Sequence, residues 1–215
     1  MQIMRYSLLL ILAVAVAHLG LSQGQKDPAA LTILEAMSAK YKSYPSFEAS
    51  FIHSLVDPDG SKEDFTGTVT VKGDKYKLDV GGQEITNDGK TVWTYLEEVN
   101  EVSVSDYYPE DEEISLSNIF SIYEDGYKYV YVEEKDSGKT HVIDLEPEAS
   151  GKDIYKIRME IASNNDLRSF TLFERSGVKY LYAIDKFNGD INITDSFFVW
   201  DENKYPGVEV IDFRY

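Results

Sequence analysis

The sequence predicts a mainly β protein of the α+β class, an antiparallel sheet curled into a β-barrel and covered by a lid of amphipathic helices. Three observations predict this fold. Tyrosine and phenylalanine are frequent, with 16 and 10 copies, and aromatic residues favour strands. Apolar and polar residues alternate in short segments separated by glycine-containing turns. Two further segments instead carry apolar residues at helical spacing. With 215 residues, one domain with a sizeable core is expected.

The first helix is predicted directly before Pro45. Asp27 has the chemistry of an N-cap, and Pro28 suits the first helical position. The apolar residues that follow form one stripe, which consists of Leu31, Ile33, Leu34, Met37 and Tyr41. Because Pro45 disfavours helical geometry at the residue before it, the helix should end there, after about four turns.

A second, short helix is predicted within 107–123. Pro109 is followed by acidic residues at 110–113, which favour the positive end of a helix dipole. Apolar residues at helical spacing come next, namely Leu116, Ile119, Phe120 and Tyr123. Both helices would therefore present an apolar stripe to the sheet.

Strands are predicted wherever the apolar period changes to two. In the first strand, Phe47, Ala49, Phe51, His53 and Leu55 share one face. Strands are expected at 47–55, 65–72, 76–80, around 85, 91–96, 99–104, 127–134, 140–145, 154–162, 167–174, 178–187, 190–194, 197–200 and 208–213. Their regular spacing, with hairpin signals between them, favours an antiparallel sheet curled into a barrel.

The N-terminus predicts export. Arg5 precedes an uninterrupted apolar run at 8–17, and the small residues Ser22 and Gly24 have the spacing of a processing site. We therefore predict a signal peptide at 1–24 and a mature domain at 25–215. The apolar run is short for a membrane span. Since the sequence has no cysteine, the exported mature protein should be soluble and not lipid-anchored.

The net charge of the chain limits the classes of partner that it is expected to bind. The formal net charge of −17 argues against binding a nucleic-acid backbone, which needs clustered lysine and arginine. It argues equally against electrostatic docking on an anionic membrane leaflet. We therefore expect no nucleic-acid partner.

The familiar motifs of catalysis and cofactor binding do not match. Gly-Lys-Thr occurs at 89–91 and 138–140, but a P-loop needs a glycine where Glu84 and Glu133 stand. Asp-Pro-Asp-Gly at 57–60 lacks the glycine and glutamate positions of an EF-hand loop. The two histidines beyond the predicted signal peptide have no neighbouring zinc ligand in sequence. We predict no catalytic residue, no metal and no cofactor, and a protein that is not an enzyme.

An apolar sheet face under loosely fitting helices can bind acyl chains, since each buried methylene contributes ~0.8 kcal/mol. The alternative is an ordinary closed core. On the lid, the candidate cavity residues are Leu34, Met37, Tyr41, Ile119, Phe120 and Tyr123. On the sheet they are Phe47, Phe51, Val69, Val71, Tyr76, Leu78, Trp93 and Tyr95. Strand parity does not decide the face at 91–96, because both faces are apolar or bulky there.

Four segments, in order along the chain, carry a family resemblance. They are Ser-Phe-Glu-Ala-Ser-Phe at 46–51, Gly-Thr-Val-Thr-Val-Lys at 67–72, Asn-Asp-Gly-Lys-Thr-Val-Trp-Thr-Tyr at 87–95 and Tyr-Pro-Gly-Val-Glu-Val-Ile-Asp at 205–212. They resemble the LolA-type carriers of outer-membrane lipoproteins. The resemblance implies an unclosed barrel with a helical lid. It also implies a periplasmic carrier, expected to be monomeric, that takes acylated lipoproteins from an inner-membrane release complex and delivers them to an outer-membrane acceptor.

One position departs from the family pattern. In the best-known carriers the strand ending in Val-Lys continues with Arg-Pro, and that arginine holds the lid closed. Here Gly73 and Asp74 stand at those positions. Three alternatives stay open: an envelope module for another lipid or acylated product, a non-catalytic sensor or scaffold, and an enzyme with a polar cluster inside the cavity.

Overall fold

The computed structural model describes residues 26–109, 114 and 119–214. The predicted signal peptide at 1–24 and, within the predicted second helix, residues 110–113 and 115–118 lie outside these residues. A search of the described part of the chain found no helix with the length and apolar character needed to cross a membrane.

Helix α1 spans Pro28–Lys42, where the sequence predicted it. Asp27 is its N-cap, and one carboxylate oxygen accepts a hydrogen bond from the Ala29 amide at 2.9 Å. The other carboxylate oxygen accepts from the Tyr131 amide at 3.0 Å, so the same side chain ties the helix to a strand. The Tyr131 amide, and after it the Ala29 amide, hold the pKa of Asp27 below its usual value.

Twelve strands follow α1 within the described residues. They are β1 (Phe47–Val56), β2 (Lys62–Lys72), β3 (Lys75–Val80), β4 (Gln83–Asn87), β5 (Thr91–Leu96), β6 (Glu101–Asp106), β7 (Tyr127–Lys135), β8 (Thr140–Pro147), β9 (Ile154–Ala162), β10 (Leu167–Glu174), β11 (Lys179–Gly189) and β12 (Glu209–Asp212). Most of the predicted strands are therefore confirmed within a few residues.

All of these strands belong to one sheet, in the order β12-β6-β5-β4-β3-β2-β1-β11-β10-β9-β8-β7. Neighbours are antiparallel, except that β12 pairs parallel with β6. Within the described residues the outer strands β7 and β12 do not pair with each other, so the curved sheet stays open. The predicted large antiparallel sheet is confirmed, and its barrel is not closed.

Within the predicted second helix, the structure describes residues 107–109, 114 and 119–123. Residues 119–121 form turns, and a 3-10 helix covers Ile122–Glu124. Ile119 and Tyr123 are buried in the same cluster as the apolar stripe of α1. The rest of the prediction, at 110–113 and 115–118, lies outside the described residues. A lid of two helices is therefore not confirmed.

The predicted strands at 190–194 and 197–200 are wrong. A 3-10 helix at Asp195–Phe198 occupies this part of the chain, and Phe198 is fully buried. The apolar alternation here extends over only a few residues, which does not define a strand without a neighbour that accepts its hydrogen bonds. The final predicted strand is confirmed as β12, although it joins the sheet in parallel and not through a hairpin.

The strand register identifies the inner face of the sheet. Residues directly opposite each other in an antiparallel pair project from the same face. Ala49, Val69, Leu78, Ile85 and Thr94 stand opposite one another in turn across β1–β5 and therefore share a face. The other half of this face, over β7–β10, is covered by α1, and we call it the inner face.

The covered half of the inner face forms the main core. Its members without exposed surface are Ala30, Leu34, Met37, Ile143, Leu145, Ile157, Met159 and Ile161, each at 0%. The register joins the two halves, because Tyr182 of β11 stands opposite both His53 and Phe170. Phe170 in turn stands opposite Met159. One continuous apolar surface therefore runs from β5 to β7.

Candidate functional site

A cavity of about 680 Å³ lies on the inner face beside the half that α1 covers. Its walls come from β1–β5, β10 and β11, and Ile114 contributes one further side chain. Most wall residues are aromatic or aliphatic, including Phe51, Phe65, Leu78, Val80, Ile85 and Leu172. A volume of this size is typical of a small-molecule site, for which the usual range is ~300–1,000 Å³. We call this space the main cavity.

A stack of three rings forms one wall of the main cavity. Phe170 and Tyr182 lie parallel with ring centroids 4.6 Å apart, and Tyr182 and His53 are 4.5 Å apart. The register brings these rings together, because neighbouring strands place them opposite one another. Burial raises the pKa of Tyr182. The wall is therefore rigid, aromatic and uncharged at neutral pH.

His53 brings imidazole nitrogens to this largely apolar wall. Its Nε2 atom is buried and has no hydrogen-bond partner among the described residues. Burial lowers the pKa of His53, because the charged imidazolium would lose hydration there. The imidazole is therefore neutral at neutral pH. No zinc ligand neighbours His53 in the sequence, and its place in the ring stack gives it a structural role.

A second, much smaller cavity of about 30 Å³ lies further along the inner face, beside the C-terminal turn of α1. Tyr41 and Phe120 close it from the helix side, with stacked rings 3.8 Å apart. The Tyr41 hydroxyl accepts a hydrogen bond from the Leu167 amide at 3.1 Å. Burial raises the pKa of Tyr41 to about 12. We call this space the small cavity.

The residues that the sequence predicted to line a cavity are distributed among the main cavity, the small cavity and other parts of the fold. The main cavity contains Phe51, Tyr76 and Leu78. The small cavity contains Tyr41, Phe47, Phe51, Val69, Ile119 and Phe120. Four others are buried but line neither cavity: Leu34 and Met37 pack in the core, while Tyr123 and Val71 border separate surface recesses.

Trp93 and Tyr95 lie on the opposite face of the sheet from the cavities, so their predicted placement is wrong. The register puts Thr94, between them, on the inner face opposite Ile85. Tyr95 instead packs against the ring of Tyr205, with centroids 4.5 Å apart. Both faces of β5 carry bulky side chains, and only the pairing of β5 with β4 decides which face is inner.

Sequence analysis missed the contribution of β10 and β11 to the main cavity. Phe170 and Leu172 alternate on β10, and Tyr182 lies on β11. The alternation was visible in the sequence. The sequence did not show that β11 pairs with β1. This pairing brings the residues of β10 and β11 to the same cavity as those of β2 and β3.

The position of the family arginine is occupied by a tight turn. Gly73 has a φ of +58°, and the neighbouring Lys72 and Lys75 bind Asp195 at 2.7 and 2.8 Å. These lysines hold the pKa of Asp195 at about 2. The two lysines of the β2–β3 hairpin therefore fix the segment that follows β11, which contains Asp195, to this hairpin. The Tyr41–Phe120 stack closes the helix side of the sheet by apolar contact.

The main cavity offers a ligand mainly apolar contacts. Within the described ranges, no three histidine, aspartate or glutamate residues are grouped as a metal site requires. The walls offer a ligand hydrocarbon surface and few hydrogen-bonding groups. Such a site holds a ligand by its apolar part, and affinity grows with the area that is buried.

Comparison with known proteins agrees with this architecture. The family model "Outer membrane lipoprotein carrier protein LolA" matches residues 42–201. An uncharacterized conserved protein from Thermus thermophilus has 13% identity and a TM-score of 0.56, covering 86% of this chain and 99% of that one. A DUF1329 family protein from Desulfovibrio piger has 9% identity and a TM-score of 0.50, covering 84% and 99%.

At these identities the solved structures establish the shared fold alone. A comparison with curated proteins gave no match. The family model covers well over half of the sequence, including the first strand and the hairpins that line the main cavity. The chain therefore belongs to the LolA family of outer membrane lipoprotein carrier proteins.

Proposed function

We propose that this chain is a periplasmic carrier that binds the acyl chains of lipoproteins and transfers lipoproteins from the inner to the outer membrane. The observation that carries the proposal is the apolar main cavity in a member of the LolA family. The predicted signal peptide at 1–24, followed by a mature domain at 25–215, supports a periplasmic location.

Acyl chains suit the main cavity because the binding energy comes from apolar burial. Each buried methylene contributes ~0.8 kcal/mol, and no charged group is needed. Leu78, Val80 and Ile85 supply aliphatic surface on one side, and the ring stack supplies aromatic surface on the other. The lipoprotein's polar part would stay in water outside the cavity.

Transfer needs a donor and an acceptor. We propose that an inner-membrane lipoprotein-release complex loads the monomeric carrier and that an outer-membrane acceptor unloads it. The carrier itself hydrolyses nothing in this scheme. Loading would have to separate contacts such as the Tyr41–Phe120 stack, because no arginine stands at the usual latch position.

A second candidate is an envelope binding module for another lipid or acylated product. The size of the main cavity favours it, since about 680 Å³ lies within the range of single small ligands and a lipoprotein can carry three acyl chains. In this candidate the cavity and its apolar chemistry are the same, and only the cargo differs.

The test is native mass spectrometry of the mature protein after mixing with a purified triacylated lipoprotein in detergent and removal of the detergent. A one-to-one complex is expected. Val80→Lys should abolish it, because the ammonium group would be buried in the main cavity. Val130→Lys is the matched control, since Val130 is 44% exposed on the outer face of β7.

The outcomes separate the candidates. Loss of the complex in Val80→Lys alone, with both variants folded, supports lipoprotein carriage. An empty protein beside aggregated lipoprotein overturns it. If single-chain lipids then bind and Val80→Lys prevents their binding, the second candidate holds. If no lipid binds, a sensor or scaffold that acts through a protein partner becomes the better explanation.

A further inference from the structure

The main cavity and the small cavity share three wall residues. Phe51, Phe170 and Tyr182 line both spaces. Phe51 and Tyr182 have ring centroids 6.0 Å apart, and Tyr182 stacks on Phe170 at 4.6 Å. The three rings therefore form a continuous aromatic partition between an open compartment and a nearly filled one.

The strand across from Phe51 fixes the position of its ring. Phe51 stands opposite Gly67 of β2, and its ring occupies the space that any side chain at residue 67 would need. A Cβ built on Gly67 would lie 2.5 Å from Cζ of Phe51. Phe51 and Phe170 are only 4% and 5% exposed. The glycine thus lets the ring lie flat against β2, where it ends the main cavity.

The compartment behind the partition is apolar as well. Ala49, Val69, Ile184 and Phe187 form its floor, and Phe120 lies above them. An acyl chain extending past the partition would therefore meet a suitable surface. The partition, and not the chemistry of the space behind it, is what stops the chain.

We propose that the Phe51–Tyr182–Phe170 partition sets the maximum length of acyl chain that this protein binds. The proposal rests on the proposed function, in which acyl chains occupy the main cavity. Phe51 is the residue that determines specificity, because it alone of the three lies on the β1–β2 side and is held by Gly67.

The test uses lysophosphatidylcholines with saturated chains from 10 to 18 carbons, whose zwitterionic head avoids repulsion from a protein of net charge −17. Dissociation constants are measured by isothermal titration calorimetry below the micelle concentration. For the wild type, affinity should rise about fourfold per methylene and then level off when the main cavity is full. The chain length at which it levels off is the readout.

Phe51→Leu should move this limit to longer chains. Two further methylenes should be accommodated, so the longest chains should bind about fifteenfold tighter than they bind to the wild type, with little change for short chains. Phe213→Leu is the matched control, since Phe213 is 59% exposed and lines neither cavity, so the same truncation there should leave the limit in place. Ala49→Leu added to Phe51→Leu should restore the shorter limit, because it fills the small cavity.

Two results would overturn the proposal, and they differ from each other. If Phe51→Leu keeps the wild-type limit, or if Phe213→Leu moves the limit as far as Phe51→Leu does, the partition does not set chain length, although acyl binding stands. If neither the wild type nor any variant binds a chain, the proposed function fails together with this inference. Should Phe51→Leu not fold, Phe170→Leu tests the same partition from the β10 side.

Discussion

Leu145 and Leu78 occupy similar places in the sheet but very different surroundings. Each lies on the inner face of an alternating strand, Leu145 on β8 and Leu78 on β3. Leu145 has no exposed surface and shares a buried cluster with Leu34 and Met37 of α1. Leu78 is only half-buried and lines the main cavity. An alternating strand creates an apolar face, and the helix above it decides whether that face becomes a core or a binding surface.

The largest difference between the two halves is expected when a leucine of each half is truncated to alanine. Leu145→Ala should lower the free energy of unfolding by about 2–5 kcal/mol, because it leaves a void in a closed core. Leu78→Ala should lower it by roughly half of that or less, since it enlarges a space that is already open. Urea denaturation followed by circular dichroism measures both values. Equal losses would mean that the space beside Leu78 is packed as tightly as the core.

The second-largest loss of stability is expected on removal of Asp27, which attaches α1 to β7. Asp27→Ala should cost about 1 kcal/mol at pH 7, the usual effect of losing an N-cap, and it also frees the Tyr131 amide. Because the pKa of Asp27 is lowered in the folded state, its contribution is present above the unfolded pKa of about 4. It is lost as the pH falls through the lower, folded-state pKa.

Urea unfolding of the Asp27 variants at pH 7, 5 and 3 measures this effect. Asp27→Asn is the control, because its amide oxygen keeps one acceptor and does not titrate. The difference between the wild type and Asp27→Ala should shrink at pH 3. A difference that stays constant from pH 7 to pH 3 would contradict a role for the carboxylate.

The smallest expected effect is the contribution of His53, in the uncovered half of the inner face, to the pH dependence of stability. Its pKa is lowered by burial, so the folded state binds a proton less readily than the unfolded state. Stability should therefore fall as the pH drops through the unfolded pKa of about 6.5 towards the folded-state value. His53→Phe keeps a ring in the stack with Tyr182 and should remove this part of the pH dependence.

Thermal unfolding of the wild type and His53→Phe between pH 7.5 and 5 checks the prediction. The wild-type midpoint should fall more than that of the variant as the medium becomes acidic. Identical pH profiles would show that His53 is protonated as easily in the folded protein as in the unfolded chain.

Local chemistry was enough to predict most of the elements. Asp27, Pro28 and Pro45 bounded α1 because capping and proline effects act within a few residues. The period of two identified the strands, and for β1 it also identified the buried face, with Phe47, Ala49 and Phe51 buried. The family segments at 46–51 and 67–72 lie on β1 and β2, which line the two cavities.

Pairing between distant strands determined what the sequence could not. Trp93 and Tyr95 were placed on the wrong face because both faces of β5 are bulky, and only its register against β4 decides between them. Phe170 and Tyr182 entered the cavity wall because β11 pairs with β1 across more than a hundred residues of sequence. The segment at 195–198 became a 3-10 helix whose Asp195 binds two lysines of a distant hairpin.

By itself, then, the sequence determined which segments form strands and where α1 begins and ends, since both depend on neighbours in the chain. It also determined to which family the chain belongs, because the family segments occur in order along the chain. The tertiary structure decided where the apolar face is closed by α1 and where it stays open. It also decided that three rings from β1, β10 and β11 meet between the two cavities. Both depend on contacts between strands far apart in sequence, and such contacts leave no periodic signal in either strand alone.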